Sequence, residues 1–137
     1  MMGFMDKNFI YKTKIYYEDT DAGGIVYYAN YLKFFERART EWIYSLGLNH
    51  QMLNEKNVFI VVKSCQIDYS KPVKFEEEIN VITKLSKISP VRISLFQSAQ
   101  VNGEDRVKGL IELAIIDSTG KPTKMPQHWL ELFKSCI

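Results

Sequence analysis

A single run of residues in which apolar side chains recur every three or four positions constrains this fold most. The run starts at about Tyr28 and ends before Gly47. Its apolar members, which share one face at helical spacing, are Tyr31, Phe34, Phe35, Ala38, Trp42 and Leu46. The pattern predicts an amphipathic helix of about 18 residues, roughly 27 Å long, with Gly47 just past its C-terminus.

The segments around this helix carry β-strand signals instead. Residues 9–17 alternate, so that Phe9, Ile15 and Tyr17 share one face of an extended segment. Four later segments are β-branched or alternating, and they begin at Val58, Ile79, Val91 and Arg106. Asn102-Gly103 is the strongest hairpin signal. A short terminal helix is expected over 127–133, after Pro126.

The order of these elements is a strand, one long helix and four consecutive strands. It predicts an α+β domain over residues 1–137, in which an antiparallel sheet covers the helix. Such a single layer leaves sheet edges and one sheet face uncovered. Dimerisation or higher assembly is therefore expected.

Charge and cysteine content exclude several classes of protein. The 18 basic and 16 acidic residues are scattered, which is not the footprint of a nucleic-acid binder. The N-terminal residues show no apolar signal region, and no stretch approaches roughly 20 apolar residues, so a cytoplasmic protein without a membrane span is expected. Cys65 and Cys136 have no metal-site or disulfide spacing, which predicts free thiols and no metal.

A cluster of acids precedes the long helix. Glu18, Asp19 and Asp21 lie in a segment with two glycines, next to the helix start, where backbone N–H groups lack intrahelical acceptors. Such amides can stabilise an anion or a developing oxyanion. The acids could instead only cap turns. Metal binding by the Asp-x-Asp pair is disfavoured, because no histidine or further acid follows at a ligand spacing.

The segment DTDAGGIVYYANYLKFFERARTEW, residues 19–42, resembles the signature of the 4-hydroxybenzoyl-CoA thioesterase family, especially its Tol-Pal-associated acyl-CoA thioesterase branch. The resemblance implies a hotdog fold assembled as dimers that pair into tetramers. It implies hydrolysis of acyl-CoA, with acyl carrier protein as an alternative carrier and no cofactor besides the CoA of the substrate. By this resemblance Asp21 is the catalytic carboxylate, and the backbone N–H of Tyr28 polarises the thioester carbonyl.

The sequence departs from the Tol-Pal branch at Tyr28, where many members carry a histidine. A tyrosine with an ordinary pKa is a poor base at neutral pH, so only the backbone role carries over. Asp21 can attack the thioester directly or activate water, and we lean slightly toward general-base action.

Substrate-binding residues follow from the same resemblance. Asn30 is expected to cap the helix, with orientation of the acidic loop as the alternative. Val61 and Val62 lie near the family's acyl pocket, although an apolar strand also fits plain core residues. Basic side chains expected near CoA, with Arg92 preferred, are Lys63, Lys84, Lys87 and Arg92. Gly24 of the acidic loop completes the predicted substrate site.

Two further functions stay open from the sequence. A hotdog hydratase would need a histidine beside the acid, which this loop lacks. A non-catalytic protein that binds acyl-CoA or acyl carrier protein, associated with an envelope complex, is the main alternative, because a fold does not guarantee an activity.

Overall fold

The long amphipathic segment lies against one face of an antiparallel sheet in the computed structural model, which describes residues 2–137. Within those residues the sheet has six strands: β1 (Gly3–Met5), β2 (Asn8–Lys14), β3 (Phe59–Tyr69), β4 (Glu78–Ser89), β5 (Arg92–Val101) and β6 (Glu104–Ile116). Their order is β1-β2-β4-β5-β6-β3, and every neighbouring pair is antiparallel. Strand β3 therefore forms one edge of the sheet.

The central helix α1 spans Asn30–Ser45 and buries the predicted apolar stripe, including Phe34, Phe35 and Trp42. It approaches the sheet closely at Gly109, where a Cβ would lie 2.9 Å from the Phe35 ring. Two shorter helices follow, α2 (His50–Asn54) and α3 (Gln127–Lys134). This arrangement confirms the prediction of an α+β hotdog fold with a sheet around one long helix.

The β5–β6 hairpin confirms the turn predicted at Asn102-Gly103. Both residues have positive φ values, 50° and 79°, which a tight two-residue hairpin turn requires. Helix α3 closes the core, because Trp129 and Phe133 are buried and the Phe133 ring lies 5.3 Å from that of Trp42.

Three one-residue bulges interrupt the strand pairing. Lys63 in β3, Ser86 in β4 and Arg106 in β6 have no direct partner across the adjacent strand where the register shifts. A bulge changes the direction of its side chain relative to simple alternation.

Several predicted boundaries were wrong. Helix α1 begins at Asn30 rather than at about Tyr28, since the N–H of Asn30 donates to the Tyr27 carbonyl in a preceding turn. Strand β2 ends at Lys14, and the chain then enters a 3-10 turn, Tyr17–Asp19, that leaves Tyr17 79% exposed. Strand β1 and helix α2 were not predicted, because both are very short.

Among residues 2–137, no helix combines the length and the hydropathy that crossing a bilayer requires.

Candidate active site

The acidic loop, residues 16–29, is held in place by a second segment, residues 70–77, which we call the supporting loop. The Val26 N–H donates to the Val73 carbonyl at 2.8 Å, and the Phe75 N–H donates to the Gly24 carbonyl at 3.1 Å. Ile25 and Lys74 form an isolated antiparallel bridge between these two bonds. The two loops thus form a miniature sheet beside the N-terminus of α1.

Asp21 lies exposed in this loop, and only part of its carboxylate is engaged. Its Oδ1 accepts a hydrogen bond from the Gly23 N–H at 2.9 Å, while Oδ2 has no partner among the described residues. Two backbone hydrogen bonds of 3.0 Å fix the Asp21 backbone. The Asp21 N–H donates to the Ile25 carbonyl, and the Gly24 N–H donates to the Asp21 carbonyl. The loop therefore presents one free carboxylate oxygen on a well-anchored backbone.

Asp19 serves the structure of the loop instead. Its Oδ2 accepts from the Tyr16 N–H at 2.9 Å, and its carbonyl accepts from the Tyr27 N–H at 3.0 Å. The interpretation that acids in this segment only cap turns therefore fits Asp19. Asp21 is the acid of this Asp-x-Asp pair that remains available for chemistry.

Asn30 orients the loop and does not cap the helix. Its Nδ2 donates to the Asp19 carbonyl at 2.9 Å, whereas the N-cap residue of α1 is Ala29. The preferred prediction of capping was wrong, because the helix starts at Asn30 itself and its amide can only reach back into the loop.

Tyr28 lies in the turn immediately before α1, with its side chain 61% exposed. The Tyr28 N–H finds no acceptor within residues 2–137. Its carbonyl accepts a hydrogen bond from the Tyr69 hydroxyl at 3.2 Å. The predicted amide is thus unoccupied, although it precedes the first helical residue by two positions. It lies just outside the helix, next to the N-terminal amides that carry the partial positive charge.

A largely apolar pocket of about 290 Å³ lies beside Tyr28. The residues that line it are Ile25, Val26, Tyr28, Tyr31, Tyr69, Ser70, Lys71 and Pro72. The rings of Tyr31 and Tyr69 lie 5.7 Å apart, and those of Tyr28 and Tyr69 lie 6.2 Å apart. Burial raises the pKa of Tyr31 to about 12, so its hydroxyl stays neutral at physiological pH.

Sequence reasoning missed this aromatic wall. Tyr31 carried only the signal of a core position, which it also occupies, being 2% exposed. Tyr69 ends strand β3 just before Lys71-Pro72. The sequence at this strand end carries no signal that the Tyr69 ring packs against the start of α1.

The predicted acyl-binding residues are not in this pocket. Val61 and Val62, on edge strand β3, are 38% and 51% exposed, so the alternative of plain core residues was wrong. Val62 lines a separate groove of about 560 Å³ between α1 and β3, together with Arg39 and Cys65. Burial raises the pKa of the Cys65 thiol, which keeps it protonated. Gly24 belongs to the acidic loop, where its φ of +76° suits glycine.

The predicted basic residues do not contribute to the pocket beside Tyr28 within one chain. Lys63, Lys84, Lys87 and Arg92 are exposed, and none of them lines the pocket beside Tyr28. Strand pairing aligns Arg92 with Ala114, which in turn pairs with Val61. Arg92 and Val61 therefore share the outer face of the sheet, opposite the helix. The described part of the chain has no group of three His, Cys, Asp or Glu side chains suited to a metal ion.

Comparison with known proteins decides the family. Residues 16–133 match the model of the thioesterase-like superfamily. The chain belongs to this superfamily. The thioesterase resemblance of residues 19–42 and the prediction of a thioesterase enzyme are confirmed at this level.

Several known proteins are similar to this chain over most of their length. The acyl-CoA thioesterase YbgC of Haemophilus influenzae is 38% identical over 126 residues, which cover 90% of this chain and 93% of that protein. A probable thioesterase from Bartonella henselae superposes with a TM-score of 0.81 at 31% identity, covering 85% of this chain and 98% of the other. A DHNA-CoA thioesterase from Staphylococcus aureus gives a TM-score of 0.87 at 26% identity, covering 93% and 89%.

Proposed function

We propose that this chain hydrolyses acyl-CoA thioesters to the free acid and CoA. The observation that carries the proposal is that one anchored loop holds both the free Oδ2 of Asp21 and the free N–H of Tyr28, and that Tyr28 lines an apolar pocket. A thioester needs a donor for the charge that develops on its carbonyl oxygen, and a carboxylate to drive attack on its carbonyl carbon. The names of relatives such as the Haemophilus influenzae acyl-CoA thioesterase support this substrate class.

In the mechanism we favour, Asp21 acts as a general base. It accepts a proton from water as the water oxygen bonds to the carbonyl carbon, while the Tyr28 N–H donates to the carbonyl oxygen. Collapse of the tetrahedral intermediate breaks the C–S bond. The thiolate of CoA leaves and takes up the proton that Asp21 accepted from water. Direct attack by Asp21 would give a mixed anhydride that water then cleaves.

The acyl group is proposed to enter the pocket lined by Tyr28, Tyr31 and Tyr69. Its volume of about 290 Å³ exceeds the roughly 150 Å³ of an apolar cavity that holds benzene, so a ring or a short chain would fit. Residues Asn30 and Gly24 would act through the loop rather than by direct contact.

We further propose that the CoA phosphates are held by Lys63, Lys87 or Arg92 of a neighbouring subunit. The support is that these side chains are exposed and do not line the pocket beside Tyr28 within one chain. The exposed edge of β3, where Val62 lies beside the groove on α1, favours assembly into a homodimer or a homotetramer. The Tol-Pal-associated branch is the lineage that the sequence resemblance suggests, and the cytoplasm is the location that we propose.

Thiol release from purified protein tests this function. The substrates would be short, long and aromatic acyl-CoAs, with an acylated carrier protein as a separate arm. Turnover of at least one acyl-CoA is expected, and the rates across the panel would report what the pocket accepts. A protein that CoA stabilises thermally, but that releases no thiol from any substrate, would instead be a binding protein, and the hydrolase proposal would fail.

A further inference from the structure

Arg106 occupies a bulge in β6 and faces the supporting loop. Ala99 pairs with Val107 and Gln100 with Asp105, which leaves Arg106 as the extra residue. The Arg106 carbonyl accepts hydrogen bonds from the N–H groups of Ser70 and Lys71, at 2.9 Å and 3.1 Å. The bulge thus lets one residue bind the start of the supporting loop through its backbone and through its side chain.

The guanidinium of Arg106 binds this loop at two places. Its Nη1 donates to the Pro72 carbonyl at 2.7 Å, and its Nη2 lies 3.6 Å from the Glu77 carboxylate. The same carboxylate accepts a hydrogen bond from the Lys74 N–H at 2.8 Å, which closes the turn between Lys74 and Glu77. The Arg106 side chain is only 17% exposed, which makes these contacts less screened than those of a surface pair.

Glu104 fixes the orientation of the guanidinium. It accepts from Arg106 Nε at 2.6 Å and from Lys71 Nζ at 2.6 Å. Both hydrogen bonds lower the pKa of Glu104, and the bond from Lys71 has the larger effect. The planar fork of arginine can meet Glu104, Pro72 and Glu77 at once, which a lysine ammonium on a flexible stem cannot reproduce.

The supporting loop carries this restraint to the acidic loop. Pro72, which Arg106 holds, is followed directly by Val73, whose carbonyl receives the Val26 N–H. Two residues further, the Phe75 N–H binds the Gly24 carbonyl. Gly24 and Val26 belong to the segment between Asp21 and Tyr28. A displacement of Pro72 would therefore displace the backbone that sets the relative position of those two groups.

We propose that Arg106 is a positioning residue for thioester hydrolysis, holding Asp21 and the Tyr28 amide in register through the supporting loop. This inference rests on the proposed function for its effect on rate, but its structural part stands on the contacts alone. Misplacement of reacting groups by about 1 Å can lower a rate roughly a hundredfold, so loosening this loop should act on kcat.

The test compares wild type with Arg106→Lys and Arg106→Met, and uses Lys108→Met as the control. Lys108 lies two residues further along β6, is exposed and has only a 3.9 Å contact with Asp105. Hydrogen exchange of the Val26 and Phe75 amides should rise about tenfold in both Arg106 variants, with the β4–β5 ladder unchanged. On an acyl-CoA that wild type turns over, kcat should fall roughly tenfold to a hundredfold, with KM changed less than about twofold.

The inference is overturned if exchange at Val26 and Phe75 matches wild type, or if exchange rises equally throughout the β4–β5 ladder, which would indicate a general loss of stability. It is also overturned if these amides loosen while kcat stays unchanged. Absence of thiol release by wild type would count against the proposed function instead, and the exchange measurement would still decide whether Arg106 holds the loop.

Discussion

The hydroxyl of Tyr69, at the end of β3, donates a hydrogen bond to the backbone carbonyl of Tyr28 across 3.2 Å. The two residues are 41 positions apart in the chain. The bond ties the turn before α1 to the edge strand. The N–H of the same residue has no partner among residues 2–137. The geometry of the proposed carbonyl-binding amide thus depends on a strand that is distant in sequence.

Replacing Tyr69 with phenylalanine should lower kcat/KM about fivefold. The variant keeps the aromatic wall but removes a hydrogen bond worth about 1 kcal/mol, and a change of this size in barrier height gives roughly that factor. Thiol-release kinetics on the best acyl-CoA would measure it. Tyr44→Phe, on an exposed helical position away from the pocket, is the matched control. Equal kinetics in both variants would contradict a role for the Tyr69 bond.

Asn30→Asp separates a loop contact from a helix cap. Aspartate caps helices as well as asparagine does, and its charge suits a helix N-terminus, so a capping role predicts unchanged or higher stability. The observed donation to the Asp19 carbonyl predicts the opposite, because a carboxylate would face that oxygen. We expect the free energy of unfolding in urea to fall by about 1–2 kcal/mol. An equally stable or more stable variant would refute the loop contact.

Gly109→Ala should destabilise the fold by about 1–3 kcal/mol through overpacking of the core. The added Cβ would lie 2.9 Å from the Phe35 ring, at the close approach of α1 to the sheet. Thermal unfolding measures the loss. Phe35→Leu makes room at the same contact, so the double variant should lose less than the sum of the two single changes. Simple additivity would show that the two residues do not compete for this space.

Stability at alkaline pH should report the burial of Tyr31. Its folded pKa of about 12 exceeds the ordinary value of 10.0. The folded state therefore keeps this proton up to a higher pH than the unfolded chain does. The contribution of the neutral Tyr31 hydroxyl to the free energy of unfolding is complete below about pH 10 and falls as the pH rises toward 12. Relative to Tyr31→Phe, wild type should lose about 1 kcal/mol of unfolding free energy between about pH 9 and pH 11. A constant difference over that range would contradict the shift.

Local patterns predicted much of the fold. The stripe from Tyr31 to Trp42 and the Asn102-Gly103 turn were correct, because helical periodicity and turn chemistry are encoded in neighbouring residues. The strand boundary at Tyr17 failed, since the chain leaves the sheet there to form the acidic loop. Alternation alone cannot show where pairing with β4 ends.

The site was predictable only in its local part. The acidic loop and the start of α1 adjoin in sequence, within the segment whose family resemblance predicted the roles of Asp21 and Tyr28. Tyr69 contacts Tyr28 from the end of β3, and Arg106 contacts the supporting loop from a bulge in β6. Neither the strand pairing nor the bulge has a sequence signature. The roles of the predicted basic residues remain predictions.

Thiol release by Asp21→Asn tests the central claim most directly, with Glu18→Gln as the control. Glu18 is an exposed acid of the same loop, so its neutralisation changes the local charge equally. Asparagine at position 21 retains an oxygen for the Gly23 N–H but cannot accept a proton or attack. The account predicts that kcat falls at least about a hundredfold in Asp21→Asn and stays near wild type in Glu18→Gln. Similar turnover by Asp21→Asn and wild type would contradict it.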